Sequence, residues 1–512
     1  MIEFSFIPLF TWLVSLLAVP AILVFRKRPD AREGVTFLAA FLKLAMVFMM
    51  LPLIREGKIL HFKFGEILPG IPIEFRVDGL GMLFALVASS LWILTTLYAV
   101  GYMRGLREHD QTRFFACFAI SLSATIGVAF AGNLLTLYIF YEILSLSTYP
   151  LVTHHGDKAA RTGGRTYLSH LLGTSVAFVL PAMIYCYWKS GGDIKFTDGA
   201  FLDGKIGSSD GLIVLVAFTL GFAKSGLMPF HSWLPNAMVA PTPVSALLHA
   251  VAVVKVGVFC VLRVFTGVFG TDFLQQLDVA TVITYIAAFT IIVSSLIALT
   301  QDNLKRRLAF STIGQLAYIV LGVSFLSSNG VTGSVMHIAM HAFGKITLFF
   351  CAGAIFVASE KKYISQMVGL GKQMPITMIA FLIGSLSIIG LPPFGGAWSK
   401  WYLFLGALDA EQTAMAVVLI ISSLLNIAYL LPIPINALFR SPPQKDEKGS
   451  DSGIKEAPLA CLIPLCITAL AGLLFVMFPG LGFELAQLIT KEWTIFLNYL
   501  SRTIRTARGL LD

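Results

Sequence analysis

Eight ionisable side chains stand inside otherwise apolar stretches of the chain: Glu142, Lys224, His249, Lys255, His337, His341, Lys345 and Lys400. If those stretches cross a bilayer, each such group costs about 2.5 kcal/mol or more and must be offset by a partner, by water or by a task. His337, His341 and Lys345 fall at i, i+4 and i+8, a single stripe on a helix. Two imidazoles and an amine in a row, with waters between them, make a route for proton hopping. Histidine exchanges protons near neutrality, and lysine does so once burial destabilises its charged form. Glu142 and Lys224 suit a switch: the carboxylate holds the ammonium charged when near and lets its proton leave when it withdraws.

Plainer alternatives exist for each group. The histidines could be core residues bonded to carbonyls, and Glu142 with Lys224 could be a static bridge between helices. A metal at His337 and His341 is disfavoured, because no carboxylate or cysteine lies within a turn to complete a ligand set. Lys43 fits no pattern and reads as a snorkelling side chain. His61, His109, His154 and His155 fall in or beside loops and are expected to be solvated, whereas His170 and His231 suit either environment. Asn303, Lys305, Arg306 and Arg307 read as anchors at a span end.

The elements that must hold these groups are membrane spans. The chain has 512 residues, 57% of them hydrophobic and 13% charged, with a mean hydropathy of +0.82. Soluble domains carry about a quarter charged residues. Apolar segments place about fourteen helical spans at 4–25, 34–54, 79–101, 112–131, 133–153, 167–188, 211–229, 243–265, 278–299, 305–326, 333–358, 374–397, 412–438 and 457–478. The fold class is an all-α polytopic membrane protein. No sizeable soluble domain is left over, which excludes a cytosolic enzyme or a nucleic-acid binder. The net charge of +9 needs no polyanion, since cytoplasmic loops of membrane proteins are rich in Lys and Arg. The six cysteines form no Cys-x-x-Cys pair and read as small buried hydrophobes, not as cluster ligands. The apolar run Phe4 to Phe25 precedes Arg26, Lys27 and Arg28 without a small-residue cleavage site, and so reads as a first span, not a removable signal.

Two spans, the seventh and the twelfth, contain helix breakers. Pro229 lies in Gly226-Leu-Met-Pro-Phe230 ahead of Trp233, and Pro392 and Pro393 lie in Gly390-Leu-Pro-Pro-Phe394 ahead of Trp398. Broken helices persist in lipid only where protein or a water-filled cavity satisfies the freed backbone. The two segments share one pattern about 164 residues apart, which suggests two five-helix repeats inserted with opposite orientation, a transporter signature. The expected organisation is three N-terminal spans in 1–110, repeats in 111–265 and 266–440, and a polar loop, a fourteenth span and a C-terminal interfacial helix in 441–512. Connections after odd-numbered spans hold roughly 20 Lys and Arg against about 12 on the other side, which makes them cytoplasmic and both termini external.

Several segments resemble a known family. They are Phe-Tyr-Glu142, the run from Phe-Ala-Lys224 through Pro229 to Trp233-Leu-Pro, Pro-Thr-Pro-Val-Ser-Ala-Leu-Leu-His249, Val-Val-Lys255, His341-Ala-Phe-Gly-Lys345 and Leu-Pro-Pro-Phe-Gly-Gly. Over about residues 75 to 440 the chain resembles the antiporter-like subunits: the proton-pumping membrane subunits of respiratory complex I, the large subunits of Mrp-type cation/proton antiporters, and their relatives in membrane-bound hydrogenases. The resemblance implies fourteen helices with two inverted five-helix units. It implies that Glu142 and Lys224 are a coupling pair, Lys255 a central carrier, and His249, His337 and His341 a connecting relay. Lys400 would be the terminal residue toward the outer side, where some members have Glu. The chain is expected to be one of the shorter members, without the long lateral helix of the largest complex I subunit.

The expected function is a proton-translocating subunit of a multisubunit complex in a prokaryotic cell membrane, of the Mrp or membrane-bound hydrogenase type. No cofactor or metal site is expected in this chain, which carries no dinucleotide fingerprint or phosphate-binding Gly-rich loop. Energy would come from redox partners or an opposing gradient, with Na+ crossing through a partner, since hard cations want several oxygen ligands. The rivals are a membrane-embedded enzyme acting on a quinone or lipid, and a non-conducting structural subunit.

Overall fold

The computed structural model describes residues 2–68, 70–196, 200–441, 453–477 and 479–488. Its helices are α1 (Ile7–Val24), α2 (Pro29–Arg55), α3 (Gly79–Gly105), α4 (Gln111–Ala129), α5 (Leu134–Val152), α6 (Lys158–Ser190), α7 (Ser208–Gly221), α8 (Val253–Phe269), α9 (Ala280–Thr300), α10 (Leu304–Ser324), α11 (Ser328–Ser359), α12 (Pro375–Ile389), α13 (Gly396–Asp409), α14 (Thr413–Phe439) and α15 (Leu459–Phe475). Among the described residues, ten helices are long and apolar enough to cross a membrane, and up to twelve if each of two bent pairs is one span. α7 and α12 are shorter, and each leads into one of the breaks anticipated at Pro229 and at Pro392 and Pro393.

Chain polarity fixes where helices start. Asp78, Asn133, Asn303 and Ser327 accept hydrogen bonds from backbone N–H groups in the first turns of α3, α5, α10 and α11. Asn303, expected as part of an anchor, is thus a cap. α10 and α11 are buried along nearly their whole length, whereas α1, α2, α9 and α14 turn Leu17, Phe41, Phe289 and Leu424 outward. An apolar outer surface is what lipid or a membrane partner requires. All six cysteines are free; Cys117 is partly buried and Cys466 exposed, against the expectation that all are buried.

The all-α expectation omits a small sheet. Strands β1 (Ile2–Phe4), β2 (Ile59–Leu68) and β3 (Ile71–Val77) lie in the order β1-β2-β3, with β1 parallel to β2 and β2 antiparallel to β3. The alternating aromatic and β-branched residues of Ile59 to Leu68 favour a strand, and Gly70, at φ 80, makes the turn. Phe75 and Phe140 rings 5.7 Å apart fasten the sheet to α5. The tail expected as an interfacial helix is helical over Gly480–Leu488, bent 70° from α15. The rest of that tail, and most of the expected loop Arg440 to Glu456, lie outside the described residues.

Several connections fall into two groups, each tied together by backbone bridges or hydrogen bonds. In one, Phe75 bridges to Ala131 and Asn133 to Lys195, joining the connections after α2, α4 and α6. In the other, Asn303 bridges to Tyr363 and Lys305 Nζ donates to the Ala240 carbonyl at 2.6 Å, joining the connections after α7, α9 and α11.

Candidate functional site: a buried column of amines and imidazoles

The first break places Lys224. After α7 the chain makes one 3-10 turn, Ala223–Ser225, and Gly226 follows at φ 71. The indole N–H of Trp233 donates to Ala223 O at 2.9 Å, satisfying a carbonyl that the break frees. Lys224 is fully buried. Its ammonium donates to Ser145 Oγ at 2.6 Å and to Tyr141 O at 2.9 Å, and lies 3.0 Å from the centre of the Tyr141 ring.

Of the two readings of Glu142 and Lys224, switch or static bridge, the bridge is not formed in this structure. No ion pair joins them within 4.0 Å, and both carboxylate oxygens of Glu142 are shielded without a hydrogen-bond partner among the described residues. Tyr141 and Ser145 share a helix face at i and i+4, while Glu142 is turned about 100° away.

The middle of the column lies where α8 meets α11. Lys255 Nζ is 2.6 Å from His341 Nδ1, both buried. His337 Nδ1 is 2.8 Å from Ser399 Oγ, and its Nε2 is 3.0 Å from Gln315 Oε1. The His337 and His341 rings are 5.8 Å apart, so the expected stripe is present. Its third member leans away: Lys345 Nζ donates to Ser311 Oγ at 2.6 Å on α10. From Ser311 the polar chain continues to Tyr429 OH at 2.8 Å, which donates to Asn426 at 2.5 Å.

The second break places Lys400. Gly390, at φ 84, closes α12, and α13 starts at Gly396. Lys400 Nζ donates to Ile389 O at 2.9 Å and to Ser423 Oγ at 3.2 Å, and sits 4.8 Å from the Tyr318 ring centre. The Tyr318 ring stacks on His337 at 5.7 Å, which links Lys400 back to the column. Beside it an apolar cavity of about 720 Å³ is lined by Tyr318, Pro392, Phe394, Trp398, Lys400 and Trp401.

α8 joins the two halves. A Cβ at Gly257 would lie 2.8 Å from Lys224 Cβ and nearer still to the Lys224 and Ser225 backbone, so the helix carrying Lys255 rests directly on the first break. The residues ahead of Lys255, Ser245–Ala252, form a π-helix that carries His249, whose side chain lies outside the described residues. Single π turns within helices are frequent at functional sites.

Sequence reasoning missed Ser145, Ser311, Gln315, Ser399, Ser423, Asn426 and Tyr429. The usable signal was polar spacing: Ser311 and Gln315 stand at i and i+4 on α10 and face the column together. Two expectations outside the column are corrected. Lys43 does not snorkel: it is fully buried, donates to Leu122 O at 3.3 Å and lies 4.6 Å from the Trp92 ring centre. His154 is not solvated, at 1% exposure. It sits where the connection after α5 folds under that after α3.

Residues 131–426 match the family profile described as NADH:quinone oxidoreductase/Mrp antiporter, TM, and residues 69–115 match that of NADH-ubiquinone oxidoreductase (complex I), chain 5 N-terminus. The chain belongs to this family. It is a member of the antiporter-like membrane subunits and an integral membrane protein. It is 34% identical over 420 residues to the NADH-quinone oxidoreductase subunit N of Desulforudis audaxviator (strain MP104C), covering 79% of this chain and 82% of that one. It is 30% identical over 433 residues to the A/B component of a probable K(+)/H(+) antiporter from Rhizobium meliloti (strain 1021), covering 81% of this chain and 42% of that one. Against the NAD(P)H-quinone oxidoreductase chain 5 of Picosynechococcus it spans 50% of the relative's length. Two solved structures share the fold of this antiporter-like protein. The membrane-bound sulfane sulfur reductase, an archaeal respiratory complex, matches with a TM-score of 0.84 at 22% identity, covering 95% of this chain and 98% of that one. The Mrp complex from Dietzia sp. DQ12-45-1b matches at 0.83 and 23%, covering 94% and 96%.

Proposed function

We propose that this subunit moves protons across a prokaryotic cell membrane along Glu142, Lys224, His249, Lys255, His337, His341, Lys345 and Lys400, as one member of a larger complex. The observation that carries this reading is the buried 2.6 Å hydrogen bond between Lys255 Nζ and His341 Nδ1. An ammonium there donates a proton to the imidazole, which releases one from Nε2. Because the next ring centre is 5.8 Å away, the step to His337 uses a bridging water. Ser399 and Gln315 orient His337, and Lys400 is the far terminus, toward the outer face. Glu142, held apart from Lys224, is the open position of a coupling switch.

The fourteen-helix count and the two inverted five-helix units in 111–265 and 266–440 belong to this reading, supported by the matching breaks that follow α7 and α12. Residues 1–110 precede the repeats and 441–512 follow them. The face that gathers the connections after α7, α9 and α11 is cytoplasmic, and both termini face outward. No organic or redox cofactor in this chain is part of this reading. The relatives named for NADH and for K(+)/H(+) exchange suggest two sources of energy: redox partners, or an opposing cation gradient crossing a partner. The rival of a quinone- or lipid-processing enzyme is favoured only by the apolar cavity beside Lys400.

The test is Lys255→Ala in the intact complex reconstituted into vesicles. Loss of proton uptake with normal assembly is expected. Unchanged uptake overturns the relay, and failure to assemble favours a purely structural role.

A further inference from the structure

Outside the column, one cluster of imidazoles and carboxylates has unused bonding capacity. The tight turn after α3 carries Glu108 and His109 between Arg107 and Asp110, whose backbones are left-handed at φ 50 and 48. The segment after α5 brings His154 and His155 beneath them. One donor atom from each of Glu108, His109 and His154 lies within 4.8 Å of the other two. His154 Nε2 is 3.7 Å and His155 Nδ1 3.6 Å from Glu108 Oε2.

His154 points to a ligand independently. Its side chain is 0% exposed, and neither ring nitrogen has a hydrogen-bond partner among the described residues. A buried polar atom without a partner is costly, and such atoms in native proteins have a bound water, an ion or a task. The charges around the cluster are mixed: Arg113 pairs with Asp110 at 3.2 Å and donates to the His154 carbonyl, and Glu108 supplies the carboxylate among the donors.

We propose that Glu108, His109 and His154 bind a borderline divalent transition metal of the Zn2+ type, with His155 as the fourth donor. Imidazole nitrogens with one carboxylate match the tetrahedral preference of Zn2+, whereas Mg2+ and Ca2+ demand oxygen shells. Donors about 2.1 Å from one tetrahedral ion stand roughly 3.4 Å from each other, so closing the cluster requires the His109 ring, stacked parallel on His154 at 4.8 Å, to turn until both lone pairs converge. His109, half exposed, is free to make that turn. The site sits at the rim of a polar cavity of about 560 Å³ that Glu108 and His155 share with Asp157, Lys305 and Lys362.

The experiment uses the full, tag-free chain in its native complex, stripped with a chelator and then titrated with Co2+ and Zn2+. The expected result is about one ion per chain, with the visible absorption of tetrahedral Co2+, and at least tenfold weaker binding in His109→Ala and in Glu108→Gln. His109 is exposed, so its variant keeps the fold even where His154→Gln does not. Equal metal content in the wild type and both variants, or an octahedral Co2+ spectrum, overturns the site.

Discussion

Ser399 stands between His337 Nδ1, at 2.8 Å, and the Gly396 carbonyl, at 3.2 Å. Its one proton can serve either. When it serves the imidazole, His337 carries its own proton on Nε2 and donates to Gln315 Oε1. When it serves Gly396, Ser399 accepts from a protonated Nδ1. Both states are satisfied, as a group that takes up and releases protons requires. Ser399→Ala is expected to slow proton uptake by reconstituted complex roughly tenfold, about 1.4 kcal/mol of barrier. The same change should cost only about 1 kcal/mol of stability in thermal unfolding. Unchanged uptake would remove Ser399 from the relay. The amines and imidazoles were legible in the sequence because charge inside an apolar run is conspicuous. Their hydroxyl partners were not, since a serine or threonine in a membrane helix often bonds the carbonyl one turn back, as Thr95 does to Leu91. Residue type alone does not separate Thr95 from Ser145.

Among elements, the contact of α8 with the first break is the most demanding. The neighbours of Gly257 are largely backbone, so a methyl group there cannot be accommodated by a side-chain rotation. Gly257→Ala is expected to cost about 1–3 kcal/mol by overpacking and to displace Lys224, read as a lowered unfolding temperature together with lost transport. Gly173→Ala, where nothing lies within 4 Å of the new Cβ, is the control and should be silent in both assays. A second tie joins the start of α3 to α8, where the buried Asp78 carboxylate pairs with Arg263. Asp78→Asn leaves the guanidinium without its counter-charge and is expected to destabilise the chain by about 3 kcal/mol or more, measured by thermal unfolding in detergent. The helix breaks were readable because proline and glycine punctuate local structure. The sheet was overlooked although its strands alternate, because a search for long apolar runs passes over ten-residue segments. The π-helix of Ser245–Ala252 has no comparable signature in residue type.

For the molecule as a whole, alternation of the connections is the property most directly measured. Lys195→Cys and Lys362→Cys, both at exposed positions, should react with an impermeant thiol reagent from opposite sides of oriented vesicles. Labelling of both from one side would contradict the arrangement of faces. α11 has a different meaning at this scale. Every residue from Gly330 to Ile355 is buried, so this segment, bearing His337, His341 and Lys345, touches lipid nowhere. A rod enclosed on all sides cannot tilt or slide without repacking a close-packed interior. In the proposed relay it therefore serves as a stationary spindle, with proton movement left to swinging amine tails and rearranging solvent around a fixed axis.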